Sequence, residues 1–298
     1  MDSTGPLPGT ALGIGWRPEI CGIIGALDGI GFCEVIAESL VAPQRKRWRI
    51  GAGATDGVTV PDDLELLIAQ GIFAVPHGIS LSLGGADPVD ARRVAHLADC
   101  ARALGSPLVS EHIAFVRAGG MEAGHLLPVP RTREALDALV RNISRTQREL
   151  EAPLAVENIA ALFEWPDAEF TEAEFLQELV ERTGVHLLID IANVYVNARN
   201  RSRDPLTELL RLPAERIAYC HVAGGWESGG RYHDTHVHPV PPEVLALVGE
   251  FTARHAVPLM LERDGNYPPV AELLAELNAI ADVSQRPPIT LRAGTLSS

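Results

Sequence analysis

Eight short apolar runs recur along the chain, each leading to a turn, and most of them end on a side chain able to bind a metal ion. They are LGIGW (Leu12 to Trp16), FCEVIA (Phe32 to Ala37), IFAVPHG (Ile72 to Gly78), LVSEH (Leu108 to His112), LAVEN (Leu154 to Asn158), HLLID (His186 to Asp190), IAYCH (Ile217 to His221) and PLMLE (Pro258 to Glu262). Runs that are continuously apolar, rather than alternating, suit a parallel sheet covered by helices on its outer face. Eight such strands alternating with helices make a (β/α)8 TIM barrel, whose chemistry collects at the C-terminal ends of the strands. Those ends read His77, Glu111, His112, Glu157, Asn158, Asp190, His221 and Glu262.

The intervening segments carry helix signals. Pro61 and two acidic residues open PDDLELLIAQ, and Gly71 stops it. Asp87 is the expected cap of a helix from Pro88 to Leu104, and Thr171 with Glu174 forms a capping box for TEAEFLQELVERT before Gly184. Arg131 to Leu150, the residues after Asp204/Pro205, those after Pro241/Pro242, and those after Pro269 supply further helices, and Pro18 to Ile30 is a glycine-weakened first one. A doubly wound sheet would show a glycine-rich phosphate turn after its first strand; Gly13, Gly15 and Gly22 do not form it.

One barrel domain over residues 1–283 fits the 298-residue length and the 46% hydrophobic content, with 284–298 read as a mobile tail. Val41 to Val60, with Arg45, Lys46, Arg47 and Arg49, reads as a long βα loop able to act as a lid or simply lie solvated. A net charge of −14 argues against a nucleic-acid binder. Cys21, Cys33, Cys100 and Cys220 show neither CxxC spacing nor a disulfide framework, so a reducing cytoplasm fits best. Neither a signal segment nor a membrane-spanning run is present.

A single histidine after a strand is more often structural than ligating. On one barrel, however, acidic and imidazole groups from six strands converge, and carboxylates that close repel one another and are costly to bury unpaired. Lysine and arginine are scarce at these ends, Arg263 being the exception, so cations from solution are the economical counter-charge. The stretch RYHDTHVHPV adds His233, Asp234, His236 and His238. His77, His112, Glu157, Asp190, His221, Asp234, His236 and Glu262 make four carboxylates and four imidazoles, a balance that suits two divalent cations. Nitrogen and oxygen donors without thiolate favour Fe(II), Mn(II) or Zn(II). Asn158 and Asn193 are candidate neutral ligands or orienting groups, and Asp264 and Glu111 are candidate orienting groups or additional ligands. Cys220 should face the helices.

The ordered motifs GIGWRPE, VPHGISLSLGG, LVSEHIAF, LLPVPRTREAL, LAVENIA, LLIDIANVYVNARN, HVAGG, DTHVHPV and LERDGNYP cover about Leu12 to Ile280. They resemble the multinuclear non-haem iron-dependent oxidases, formerly a domain-of-unknown-function family and typified by the methanobactin-biosynthesis oxidase. The resemblance places metal ligands on the same eight residues, with Asp190, His236 and Glu262 in the catalytic role and Asn193 as ligand or near neighbour. It implies two or three irons in mixed Fe(II)/Fe(III) states and dioxygen as co-substrate. The substrate it implies is a residue, commonly cysteine, of a ribosomally made precursor peptide, presented by a separate small leader-binding partner. This chain has Gly225 where many relatives carry the second histidine of HxAGH, and His238 is a candidate to compensate. The relatives' FEVHPEN-like segment is altered here to Cys33 through Ser39. The competing readings are a divalent-metal sugar isomerase or endonuclease-like hydrolase on the same barrel type, and a non-catalytic metal-bound scaffold.

Overall fold

The computed structural model describes residues 5–41 and 57–292. Each apolar run holds one strand: β1 (Leu12–Gly15), β2 (Phe32–Ile36), β3 (Phe73–Gly78), β4 (Val109–His112), β5 (Leu154–Glu157), β6 (His186–Asp190), β7 (Ile217–Val222) and β8 (Leu259–Leu261). They close into a barrel in which every strand lies beside its sequence neighbours and β8 returns to β1. All these pairings are parallel. The fold is therefore the TIM barrel expected from the sequence. The basic residues of the expected loop or lid, Arg45, Lys46, Arg47 and Arg49, lie outside the described residues.

Period-2 alternation of each strand divides the interior from the exterior. One face packs on the helices in the larger core, where Cys220 sits fully buried as expected. The other fills the barrel with Phe32, Val75, Leu108, Leu188, Tyr219 and Met260. A full burial of this kind contributes roughly 1.5–3 kcal/mol per large side chain, and it leaves the lower barrel a solid plug. The buried polar residues His77, Glu157, Asp190 and His221 lie in the layer above it.

The helices follow their signals with informative departures. Thr171 and Glu174 form the expected capping box at Glu172–Thr183, and Asp204 caps Pro205–Leu210. The helix expected from Pro88 starts instead at Ala91, capped by Asp90, whose side chain accepts from Arg92 N at 2.8 Å. Asp90 wins over Asp87 because Val89 before it and Val94 inside the helix stand at hydrophobic-staple spacing, both buried in the same core. The first helix is shorter than Pro18 to Ile30: a 3-10 turn Pro18–Ile20 precedes Cys21–Ala26, and Leu27–Asp28 is extended.

The reason lies at the other end of the chain. Thr290–Leu291 pairs antiparallel with Leu27–Asp28, Ile289 is 2% exposed, and the Arg286 guanidinium donates to the carbonyls of Ala11 and Val257. The stretch expected to be mobile after Val283 is thus packed as far as Arg292, held by backbone pairing and a single apolar anchor that leave no periodic signature. Residues 293–298 lie outside the described residues.

Two hairpins stand on the C-terminal face, Ala114–Ala118 with Met121–Pro128 and Gly225–Ser228 with Arg231–Asp234. Both turn on a Gly-Gly pair at positive φ, Gly119/Gly120 and Gly229/Gly230, the conformation a tight two-residue hairpin turn requires. The second hairpin follows β7 and delivers Asp234 from its last residue. No helix among the described residues is long and apolar enough to cross a membrane.

The packed tail predicts that Ile289→Ala lowers the unfolding free energy by about 2–3 kcal/mol, measured as a lower urea midpoint at unchanged slope. An unchanged midpoint would contradict its anchoring role.

Candidate metal centre

Strand register sets the centre. The ladders place His112 beside Glu157 and Asp190 beside His221, while Ile36 to His77 and His77 to Ser110 carry the same layer round the barrel. Glu262 follows β8 and is held by its backbone N donating to Val222 O at 3.0 Å. His236 enters from the loop after the second hairpin, in the left-handed region at φ 53°, its backbone N donating to Gly224 O and its carbonyl accepting from Asp264 N.

Four overlapping groups result, each with its donor atoms within 4.8 Å of one another: His77, His112 and Glu157; Glu157, Asp190, His221 and Glu262; Asp190, Asp234 and His236; and His236, Glu262 and Asp264. All eight residues expected as ligands are in these groups. Glu157 joins the first two and Asp190 the second and third, so each is placed as a carboxylate between neighbouring positions. His77 Nε2 and His112 Nε2 lie 3.4 and 3.3 Å from Glu157 Oε2. His221 Nδ1 lies 2.8 Å from Glu262 Oε2 and 3.3 Å from Glu157 Oε1. His236 Nε2 lies 2.7 Å from Asp234 Oδ2 and 3.5 Å from Asp190 Oδ2.

The fit to cations rests on what these atoms lack. Glu157 Oε2, Asp190 Oδ2, Asn193 Oδ1, His221 Nδ1, Asp234 Oδ1, His236 Nε2 and Glu262 Oε2 are buried and carry no hydrogen bond. Leaving one such group unmade costs about 1–3 kcal/mol, more when charged, and a run of them on one inner surface is a donor set facing a common space. Among the described residues no arginine or lysine forms an ion pair with Glu157, Asp190, Asp234 or Glu262, whose ion-pair partners are imidazoles. Arg263 turns away, toward Glu276 and the Asn266 carbonyl.

The electrostatics have the same sign. Burial opposes a charge on His221, yet Glu262, Glu34 and Glu157 outweigh it and hold the imidazole well above its ordinary range. Burial likewise opposes a charge on His236, but Glu262 and Asp234 push it well up. On His112 the opposition of burial is overcome by Glu157 and Glu111, which raise the imidazole to about 9. Burial would raise Glu262, but His221 and His236 hold it well below the usual carboxylate range. Burial raises Asp234 to about 6 against the pull of His236. The field at the mouth draws positive charge wherever it can be placed.

The orienting candidates divide. Asn158 clamps Asp190, its Oδ1 accepting from Asp190 N at 2.8 Å and its Nδ2 donating to Asp190 O at 3.2 Å. Asn193 donates to Asn158 O and keeps its Oδ1 unpaired, so it fits a neutral ligand. Glu111 faces away and fastens the chain after β3, accepting from Leu81 N at 3.0 Å. Asp264 stands at the rim between Arg17 and His236. His238 is not brought into the centre: it stacks on Trp226 at 5.3 Å and meets Thr235 Oγ1 at 2.8 Å. Gly225 has a local cause, since a Cβ there would sit 2.4 Å from His233 O and from the Tyr232 ring. The hairpin occupies the space a second histidine would need.

Three residues missed in the sequence complete the floor of the centre. Glu34, fully buried on β2, lies 2.9 Å from His221 Nε2 and accepts from the Tyr219 hydroxyl, and Ser110 Oγ lies 2.8 Å from both Tyr219 and His77 Nδ1. Burial would raise Glu34, but His221 and His77 hold it low. A lone glutamate inside the apolar run FCEVIA was the available signal. Above the centre, clefts of about 610 and 470 Å³ share His112, His125, Leu126 and His236.

A TIM barrel with a candidate multi-metal centre at its C-terminal mouth is the class these features define. Residues 11–285 match the family described as RiPP precursor modification enzyme MbnB/TglH/ChrH. The chain belongs to that family, the one its motifs resembled. It is 52% identical over 276 residues to a UPF0276 protein of Streptomyces avermitilis, covering 90% of this chain but only 54% of that protein. A UPF0276 protein of Rhizorhabdus wittichii is 36% identical, covering 87% of this chain and 90% of its own. Among solved structures, endonuclease IV from Thermus thermophilus aligns with a TM-score of 0.55 at 18% identity, over 91% of this chain and 99% of that one. D-psicose 3-epimerase from Clostridium cellulolyticum aligns with a TM-score of 0.55 at 11% identity, over 92% and 98%. At such identity the likeness is one of fold.

Because Glu157 belongs to two of the groups and Asp234 to one, Glu157→Gln is expected to lose more bound metal per chain than Asp234→Asn. Plasma mass spectrometry of iron-loaded protein reads this directly. Equal losses would contradict the shared position of Glu157.

Proposed function

We propose that this protein is a dioxygen-dependent, multinuclear non-haem iron oxidase that modifies a residue, cysteine in the first instance, of a ribosomally made precursor peptide. It works in the cytoplasm, and a separate small leader-binding partner delivers the peptide. The observation that carries the reading is the set of buried, unpaired nitrogen and oxygen atoms shared among adjoining groups through Glu157 and Asp190, in a chain of the precursor-modifying family.

The four carboxylates match the charge of two divalent cations, and the overlapping groups offer a third position. Nitrogen and oxygen donors without thiolate suit iron. Bound iron would supply the dioxygen chemistry that no side chain here can perform. The protein's part is to fix that group and the peptide together. His77, His112, His221 and His236 would provide neutral donors, while Asp190 is held by Asn158 on both its backbone atoms. His236 and Glu262 line the clefts and Asp190 is buried 3.5 Å from His236 Nε2; these three are the proposed catalytic positions. The two clefts fall within the roughly 300–1,000 Å³ usual for ligand sites, and Leu126 and Phe163 give the larger one apolar walls beside its metal-facing residues. Holding both reactants at adjoining positions gives proximity, which removes much of the entropic part of the barrier.

The test translates the reading frames beside the gene for a short Cys-containing precursor and a small partner, and mixes these, in the presence of oxygen, with the protein loaded with Fe(II) under anaerobic conditions. Peptide-dependent oxygen uptake with a mass change on the peptide is expected. Protein prepared without chelator that holds only zinc or magnesium, and consumes no oxygen with peptide and partner present, would overturn the proposal.

A further inference from the structure

Beneath the candidate metal centre lies a chain of contacts that no ligand assignment uses: His77 Nδ1 to Ser110 Oγ at 2.8 Å, Ser110 Oγ to Tyr219 Oη at 2.8 Å, Tyr219 to Glu34 Oε2, and Glu34 Oε2 to His221 Nε2 at 2.9 Å. All five residues are essentially inaccessible to water. We infer that Glu34, Tyr219 and Ser110 form a directional hydrogen-bond relay that presents His77 through Nε2 and His221 through Nδ1, so that one buried carboxylate positions a ligand in each of two adjoining metal sites.

The direction follows from counting hydrogens. An ionised carboxylate only accepts, so both groups that meet Glu34 Oε2 must donate: His221 through Nε2–H and Tyr219 through its hydroxyl. Tyrosine has one such hydrogen, so its contact with Ser110 is made by the serine hydroxyl donating. Serine then has none left for His77, and accepts from His77 Nδ1–H. The free lone pairs are therefore His77 Nε2, which faces Glu157, and His221 Nδ1, which faces Glu157 and Glu262. The remaining imidazole of the first group is set separately, His112 Nδ1 donating to Gly78 O at 3.1 Å and leaving Nε2 toward Glu157. His77 and His221 belong to different groups that share Glu157. Glu157 thus connects the two positions from above and the relay connects them from below. The ring of Tyr219 is fixed by its edge contact with Phe32, 5.7 Å between centroids, so its hydroxyl is aimed before any ion arrives. Carboxylates behind metal-binding imidazoles typically alter affinity about 10–100-fold when removed.

The inference rests on the metal-centre reading, and its test separates the two. Co(II) is titrated by its ligand-field absorbance into wild-type protein, Glu34→Gln, Tyr219→Phe and the double variant, each checked for a cooperative unfolding transition without metal. Glu34→Gln is expected to weaken Co(II) about 10–100-fold, Tyr219→Phe less, and the double variant no more than Glu34→Gln alone, because both act through one chain. In Zn(II)-loaded protein with 15N-labelled histidine, His77 should be bound through Nε2 and His221 through Nδ1, with mixed tautomers at both in Glu34→Gln and at His77 alone in Tyr219→Phe, which leaves the His221–Glu34 contact in place. A purely structural role would lower the unfolding midpoint and leave Co(II) affinity and tautomers as in wild type, which would overturn the relay. Wild-type protein that takes up no Co(II) would overturn the metal-centre reading and the relay with it.

Discussion

Four carboxylates converge at the mouth of a closed barrel, and the rest of the centre follows from their mutual repulsion. Glu157, Asp190 and Glu262 are buried within reach of one another, with Asp234 close by. No arginine or lysine among the described residues pairs with them, and imidazoles alone are an incomplete answer. Buried charge of one sign is tolerated only when something neutralises it. The unpaired oxygen and nitrogen atoms are the groups that could hold a neutralising cation.

The barrel is suited to holding such a cluster because its strands separate tasks by position. Alternation sends one side chain of each pair outward to the helices and the other inward, where Phe32, Val75, Leu188 and Met260 fill the lower interior. A solid apolar floor raises the cost of unpaired charge and stiffens the donors above it. Glu34 and Tyr219 sit between these layers, turning the floor's rigidity into orientation of His77 and His221. The hairpins build the upper wall, and Gly225 lies in the second of them, where a Cβ would meet His233 O and the Tyr232 ring.

The barrel and six of the eight ligand candidates were legible because both depend on period and position: continuous apolar runs specify buried parallel strands, and a polar residue closing a run is placed at the mouth; Asp234 and His236 were legible instead from the crowding of acid and histidine in RYHDTHVHPV. Glu34 escaped because that rule looks at the end of a strand, whereas it stands mid-run on β2, one layer lower. His238 read in the sequence as a candidate to compensate for the missing histidine, but its stacking on the Trp226 ring keeps it off the centre, a matter of tertiary packing. Asp90 displaced Asp87 as a cap through an apolar staple, which the two capping candidates alone could not decide. The segment after Val283 reads as unstructured because a short antiparallel pair with Leu27–Asp28 and the buried Ile289 carry no periodicity.

The central claim is that the convergent carboxylates hold several cations side by side. Anomalous X-ray diffraction from crystals of the iron-loaded protein, recorded on either side of the iron absorption edge, tests it most directly. The account predicts two or three iron peaks, with Glu157 between the position of His77 and His112 and that of His221 and Glu262, and Asp190 between the latter and that of Asp234 and His236. A single peak, or none within reach of Glu157 and Asp190, would contradict it.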